Sequence, residues 1–181
     1  MWAFVALIPP AAVLDELAAT VAPVQTARTD LRWTPTAQWH LTLAFLGEID
    51  EGVLADLETR LARAARRHPP MKLALGGAGR FGDRVLWTRV QAPDGLRALA
   101  ASVGAAARRV KIAVDDRPYR PHLTLARARP GTDLRPAVDA LRGFAGTAWT
   151  ADALHLVRSR LGAGPGGTAA HEVVETWPLG R

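Results

Sequence analysis

The segment His40-Leu41-Thr42-Leu43-Ala44 recurs as His122-Leu123-Thr124-Leu125-Ala126. Leu and Ala are common in this chain, but His occurs only five times in 181 residues, so two in one frame carry information. The alternation of polar and apolar residues has the period of a half-buried strand. Residues i and i+2 of a strand share a face. His40 and Thr42 therefore point one way and Leu41 and Leu43 the other, and the second copy repeats the arrangement. On its face each His lies about 6.5–7 Å from its Thr. Two such strands turned toward one cleft present two imidazoles and two hydroxyls to a small volume.

That set suits displacement at a phosphodiester. One proton must leave the nucleophile and another must reach the departing oxygen, and imidazole is the side chain most readily poised for both near neutral pH. Thr hydroxyls can donate to the non-bridging phosphate oxygens and hold phosphorus between the rings. With each proton served by a ring, the chemistry requires no metal.

Composition narrows the setting. A chain of 181 residues can bury a substantial core, and 49% apolar residues is ordinary for a globular protein. The absence of Cys excludes disulfides, thiolate metal sites and a Cys nucleophile, and is compatible with the cytoplasm. Net charge is +6, and of the 23 basic residues only Lys72 and Lys111 are lysines. The planar guanidinium fork matches phosphate geometry, and a basic surface favours a polyanion such as RNA. Met1 to Leu14 is apolar but lacks a basic start, contains Pro9-Pro10 and runs into Asp15-Glu16, so it reads as mature protein. No segment has the length of a membrane-spanning helix.

Along the chain, Trp2 to Ile8 is expected to form a buried strand, stopped by Pro9-Pro10. Val13, Leu14, Leu17, Ala18 and Val21 give a helix ended by Pro23. Trp39 to Leu46 is the first motif strand. Asp50 is a candidate cap for a helix buried through Val53, Leu54, Leu57, Leu61 and Ala64, with Arg60, Arg63, Arg66 and Arg67 on its solvated side. Lys72–Leu75 and Val85–Val90 read as strands joined across a Gly-rich hairpin connection, Gly76 to Arg84. That connection lacks the Gly-Lys-Ser/Thr ending of a nucleotide-binding loop. Phe81 at its tip is placed either against a base or over core. Pro93 to Val110 is a second amphipathic helix. Pro118 and Pro121 stiffen the approach to His122. Pro136 to Leu141 is a short helix, and Trp149 to Val157 and Glu172 to Trp177 are the last strands. The Gly-rich Leu161 to Gly167 loop lies between them. The expected class is α+β: antiparallel-rich sheets around a cleft, with helices outside.

The chain resembles the two-histidine phosphoesterase superfamily, whose signature is a pair of His-x-Thr-x motifs. Within it, the chain is most similar to the bacterial and archaeal RNA 2′,3′-cyclic phosphodiesterases, historically called 2′-5′ RNA ligases. Beyond the motifs the resemblance rests on Phe4-Val5-Ala6, Arg32-Trp33, Phe45-Leu46-Gly47-Glu48, Gly76-Gly77 to Phe81 and Val85-Leu86-Trp87. It continues through Arg120-Pro121 to Arg127, Ser159-Arg160-Leu161 and Trp177-Pro178-Leu179. One departure is His171, where such proteins commonly carry Tyr before a Glu-Val pair.

The resemblance implies one bilobal domain over residues 1–181, with two pseudo-symmetric lobes flanking a central cleft. It implies an enzyme that opens a terminal 2′,3′-cyclic phosphate on RNA, or a small cyclic nucleotide, to leave a 2′-phosphate. His122 would activate water and His40 would protonate the departing 3′-oxygen. Thr42, Thr124 and Arg127 would bind the phosphate, with Phe45, Phe81, Arg120 and Arg160 as further substrate contacts. No cofactor, metal, membrane or obligate protein partner is expected, and a cytoplasmic monomer is. The alternatives are 2′-5′ phosphodiesterase or ligase activity, hydrolysis of an ADP-ribose cyclic phosphate, and RNA binding without catalysis. A metal site from His68, His155 and His171 lacks carboxylates at ligand spacing.

Overall fold

Trp2–Leu7, a run of apolar residues buried from Ala3 onward, is the first strand, β1, in this computed structural model, which describes residues 1–167 and 169–180. Eight more strands follow: β2 (Arg32–Trp33), β3 (Leu41–Glu48), β4 (Met71–Phe81), β5 (Val85–Gln91), β6 (His122–Arg127), β7 (Trp149–Ala151), β8 (Ala153–Arg160) and β9 (Ala170–Pro178). The helices are α1 (Ala11–Ala27), α2 (Leu54–Arg66), α3 (Gly95–Arg109) and α4 (Arg135–Leu141). The strands form two sheets, ordered β3-β1-β8-β9 and β2-β6-β5-β4-β7. Every pairing is antiparallel. The class is α+β, as the motif spacing and hairpins predict.

The first motif lies in the first sheet and the second motif in the other. The chain crosses repeatedly between them: β2 leaves β1 and β3 to pair with β6, and β7 pairs with β4 before β8 returns to β1. The predicted strand Trp149 to Val157 is thus two strands in different sheets, divided at Asp152. Periodicity cannot show that break, because both pieces are apolar.

The helices bury the faces their spacing predicts. Val13, Leu17, Val21 and Val24 of α1, Leu57 and Leu61 of α2, and Leu96, Leu99 and Val103 of α3 all enter the main core. Asp50 does cap, its carboxylate accepting from Gly52 N at 2.9 Å, but the turn it opens is a 3-10 turn, Glu51–Val53, leading into α2. Pro23 does not end α1, which continues to Ala27. Pro removes one helical hydrogen bond, but Val21 and Val24 on either side are buried, so packing holds the last turns.

The Gly-rich connection is another correction. Gly76 to Phe81 continues β4, leaving a short turn before β5. The ladder shifts register between Gly76 and Gly79, with Gly77 at φ 63°. Thr88, almost fully buried, donates to the Gly77 carbonyl at 2.7 Å and fixes that irregularity. Gly79 stands opposite Trp87, and a Cβ on Gly79 would lie 2.2–2.8 Å from carbons of the indole ring, well inside van der Waals contact. The glycines here give a strand room for an aromatic ring rather than making a loop.

Candidate active site

Strict alternation accounts for His40 with Thr42 and for His122 with Thr124, but it would turn Phe45 and Arg127 toward the core. The register shows why they face the cleft. Between β1 and β3, Val5 pairs with Ala44 and Ala6 with Thr42, leaving Leu43 without a partner. Between β5 and β6, Leu86 pairs with Ala126 and Trp87 with Thr124, leaving Leu125 without one. Each motif therefore carries a β-bulge at the same place, a device that re-aims the following side chains. Leu43, Ala44, Leu125 and Ala126 are all buried, while Phe45 and Arg127 are exposed. His40, Thr42 and Phe45 on one sheet thus correspond to His122, Thr124 and Arg127 on the other. All six line one cavity of ≈ 620 Å³.

The two rings are held alike. His40 Nδ1 lies 2.7 Å from the Gln38 carbonyl, and His122 Nδ1 lies 2.7 Å from the Arg120 carbonyl. A carbonyl only accepts, so each Nδ1 carries the proton and each Nε2 is left for chemistry. His40 Nε2 is 2.9 Å from Thr42 Oγ1. His40 itself precedes β3 by one residue. Its ring stacks on Phe4 with centroids 4.4 Å apart, and His171 meets it edge-on at 5.3 Å. His122 is backed by Phe81 at 4.9 Å and Trp87 at 6.2 Å, the ring that Gly79 accommodates.

Burial lowers the affinity of both rings for a second proton. His40 is brought down to about 4, chiefly by desolvation, with smaller contributions from the charges of His171 and His122. His122 is lowered by burial and by the neighbouring Arg127 guanidinium. The Gln38 and Arg120 carbonyls oppose both shifts. Both histidines are therefore neutral at pH 7 in the free protein. An anion bound between them would draw a proton back.

The segment presenting His122 is anchored to the opposite motif. Tyr119 donates its hydroxyl to the Thr42 carbonyl at 2.9 Å, and Arg97 donates to the Tyr119 carbonyl at 2.7 Å. Burial raises the Tyr119 phenol above its usual range, so it remains a donor.

The remaining candidates divide. Phe45, 58% exposed, stands 6.2 Å from Trp2 on the cavity rim. Phe81 supports His122 from behind, Arg120 contributes its carbonyl to that ring, and Arg160 lies 3.6 Å from Glu172; none of the three lines the cavity. His68 bonds Ser102, His155 bonds Thr176 and His171 packs on His40, so these three do not gather. Among the described residues no group of three His, Asp or Glu is arranged to hold a metal. No described helix is long and apolar enough to cross a membrane. Trp2, Arg32, Gln38 and Ser159 also line the cavity. Nothing in the motif spacing singles them out: β1, β2 and β8 bring in Trp2, Arg32 and Ser159, and Gln38 comes from the 3-10 turn Thr36–Gln38 just before His40, outside the repeated segment.

The sequence profile of the 2′-5′ RNA ligase superfamily matches residues 9–163. The chain belongs to this superfamily. It is 33% identical over 159 residues to an RNA 2′,3′-cyclic phosphodiesterase of Thermus thermophilus, covering 81% of this chain and 78% of that protein. A protein of the same name from Geobacillus stearothermophilus is 32% identical over 154 residues, 81% of this chain, but the match spans only 47% of that protein's length. Among crystal structures, TT0787 of Thermus thermophilus superposes with a TM-score of 0.79 at 30% identity, over 99% of this chain and 98% of that one. Escherichia coli LigT complexed with NADP+ superposes with a TM-score of 0.78 at 26% identity and the same coverage. The two crystal structures thus share the α+β architecture of this chain.

Proposed function

We propose that the chain hydrolyses a terminal 2′,3′-cyclic phosphate on RNA to a 2′-phosphate, by general acid–base catalysis that needs no metal. The observation that carries this reading is the matched pair of imidazoles. Each is fixed by an Nδ1 bond to the carbonyl two residues before it, and each faces the same cavity beside its Thr. The relatives named RNA 2′,3′-cyclic phosphodiesterase support the substrate.

The steps follow from these positions. Thr42 and Thr124 donate to the non-bridging oxygens, and Arg127 adds a charge-assisted contact. His122 Nε2, whose lone pair meets no protein partner among the described residues, takes a proton from the attacking water. Water adds to phosphorus, the bond to the 3′-oxygen breaks, and His40 Nε2 delivers the proton that this oxygen needs. The assignment of base to His122 and acid to His40 follows the resemblance stated above. The negative phosphodiester favours protonation of His40, which offsets its burial. Phe45 and Trp2 offer a stacking surface for a base at the cavity rim.

The test is product analysis on an RNA oligonucleotide ending in a 2′,3′-cyclic phosphate, with EDTA present, beside a 2′-5′-linked oligonucleotide. A 2′-phosphate product in EDTA is expected. A 3′-phosphate product, loss of turnover in EDTA, or cleavage confined to the 2′-5′ linkage would each overturn the reading.

A further inference from the structure

Arg32 on the edge strand β2 lies directly opposite Arg127 on β6, and both line the cavity. Directly opposed strand residues share a face at a Cα separation of about 4.5–5.5 Å, and like charges there repel. Among the described residues neither guanidinium has an acidic partner. The carboxylate closest to Arg32 in sequence, Asp30, is held by the fork of Arg28 through two 3.0 Å bonds. Two uncompensated cations are thus kept side by side on the wall of a cleft. An anion beyond the reacting phosphate would relieve their repulsion.

The register separates their roles. Arg127 is close enough to His122 for its charge to act on that ring, which puts it beside the reacting group. Arg32 sits across from the end of β6 remote from His122, at the outer side of Arg127. A cyclic phosphodiester carries one negative charge, which a single guanidinium matches. The next anion along an RNA 3′ end is the phosphodiester joining the terminal nucleotide to its neighbour. We infer that Arg32, beside Arg127, forms a second phosphate subsite that takes this internucleotide phosphodiester, so that the preferred substrate is an oligonucleotide end rather than a mononucleoside cyclic phosphate. This rests on the cyclic phosphodiesterase reading of the same cleft.

The experiment compares kcat/KM for a mononucleoside 2′,3′-cyclic phosphate with that for a dinucleotide carrying the same terminal cyclic phosphate. It uses the wild-type chain, Arg32→Gln and Arg32→Lys. The wild type is expected to prefer the dinucleotide by about tenfold or more, the scale of one charge-assisted contact. Arg32→Gln should collapse that ratio toward one, and Arg32→Lys should restore part of it. The salt dependence of the dinucleotide reaction should be steeper than that of the mononucleoside by about 0.7 in log–log slope, and this excess should vanish in Arg32→Gln. Equal use of both substrates by the wild type would overturn the subsite while leaving the activity standing. So would an equal fall for both in Arg32→Gln, which would put Arg32 on the reacting phosphate or in folding. No turnover of either substrate would overturn the activity itself, and the subsite with it.

Discussion

His40 and His122 are chemically equal in sequence and unequal in place. Both are less basic than a free imidazole, His40 down to about 4. If the two rings act as base and acid, as proposed, the reactive free enzyme holds one neutral and one protonated ring, so kcat/KM should follow a bell whose maximum lies between these two affinities, on the acid side of pH 6.5. In the complex the bound anion stabilises both imidazolium forms, so the kcat profile should sit at higher pH than that of kcat/KM. Parallel profiles of the two constants test this. Coincident bells, or a kcat/KM maximum above pH 7, would mean that burial does not govern the pair. The sequence shows that two His-Thr pairs exist and that their side chains share a face. It cannot show the desolvation beneath His40, because Phe4 and His171 reach that ring from β1 and β9, remote parts of the chain.

At the scale of the element, the bulges mark the limit of periodic reading. An alternating pattern predicts both motif strands, yet the extra residue at Leu43 and at Leu125 is what turns Phe45 and Arg127 into the cleft. Those two were singled out by resemblance and not by spacing, since a leucine that bulges looks like one that pairs. The continuation of β4 through its glycines was hidden for a related reason: a glycine required by a ring across the ladder resembles a glycine required by a turn. Gly79→Ala should drive the Trp87 indole from its place behind His122. The expected result is a stability loss of about 1–3 kcal/mol with a fall in kcat, measured by denaturant titration and kinetics. Unchanged stability would show that Trp87 has other room. Tyr119→Phe removes the hydroxyl that joins the His122 approach to β3. It should cost about 1 kcal/mol and lower kcat several-fold with little change in KM. Wild-type kcat would show that the link does not position the second motif.

Across the whole molecule, the site exists only when both sheets are built, and its burial makes the fold sensitive to acid. An unfolded His40 takes a proton near pH 6.5, whereas the folded one resists until about 4. Between these values the unfolded chain binds more protons, so stability falls as pH falls, and below the lower value this contribution ends. His40 alone accounts for about 3 kcal/mol over that window. His40→Gln, which cannot titrate, should flatten the dependence of unfolding free energy on pH between 6.5 and 4. An unaltered slope would show that other groups cause the acid lability. The α+β class and the duplicated motif were legible from spacing. The exchange of β2 and β7 between the sheets was not, because short strands paired across long distances leave no local signature.

The most direct measurement is hydrolysis of a cyclic-phosphate RNA end by His40→Ala, His122→Ala and the double variant, with folding verified for each. If the rings act as one acid–base unit across the two sheets, each single variant should lose about 10²–10⁴ in kcat/KM, and the double variant should lose little more than the worse single one. Full activity in either folded single variant, or losses that simply multiply in the double variant, would contradict the shared site.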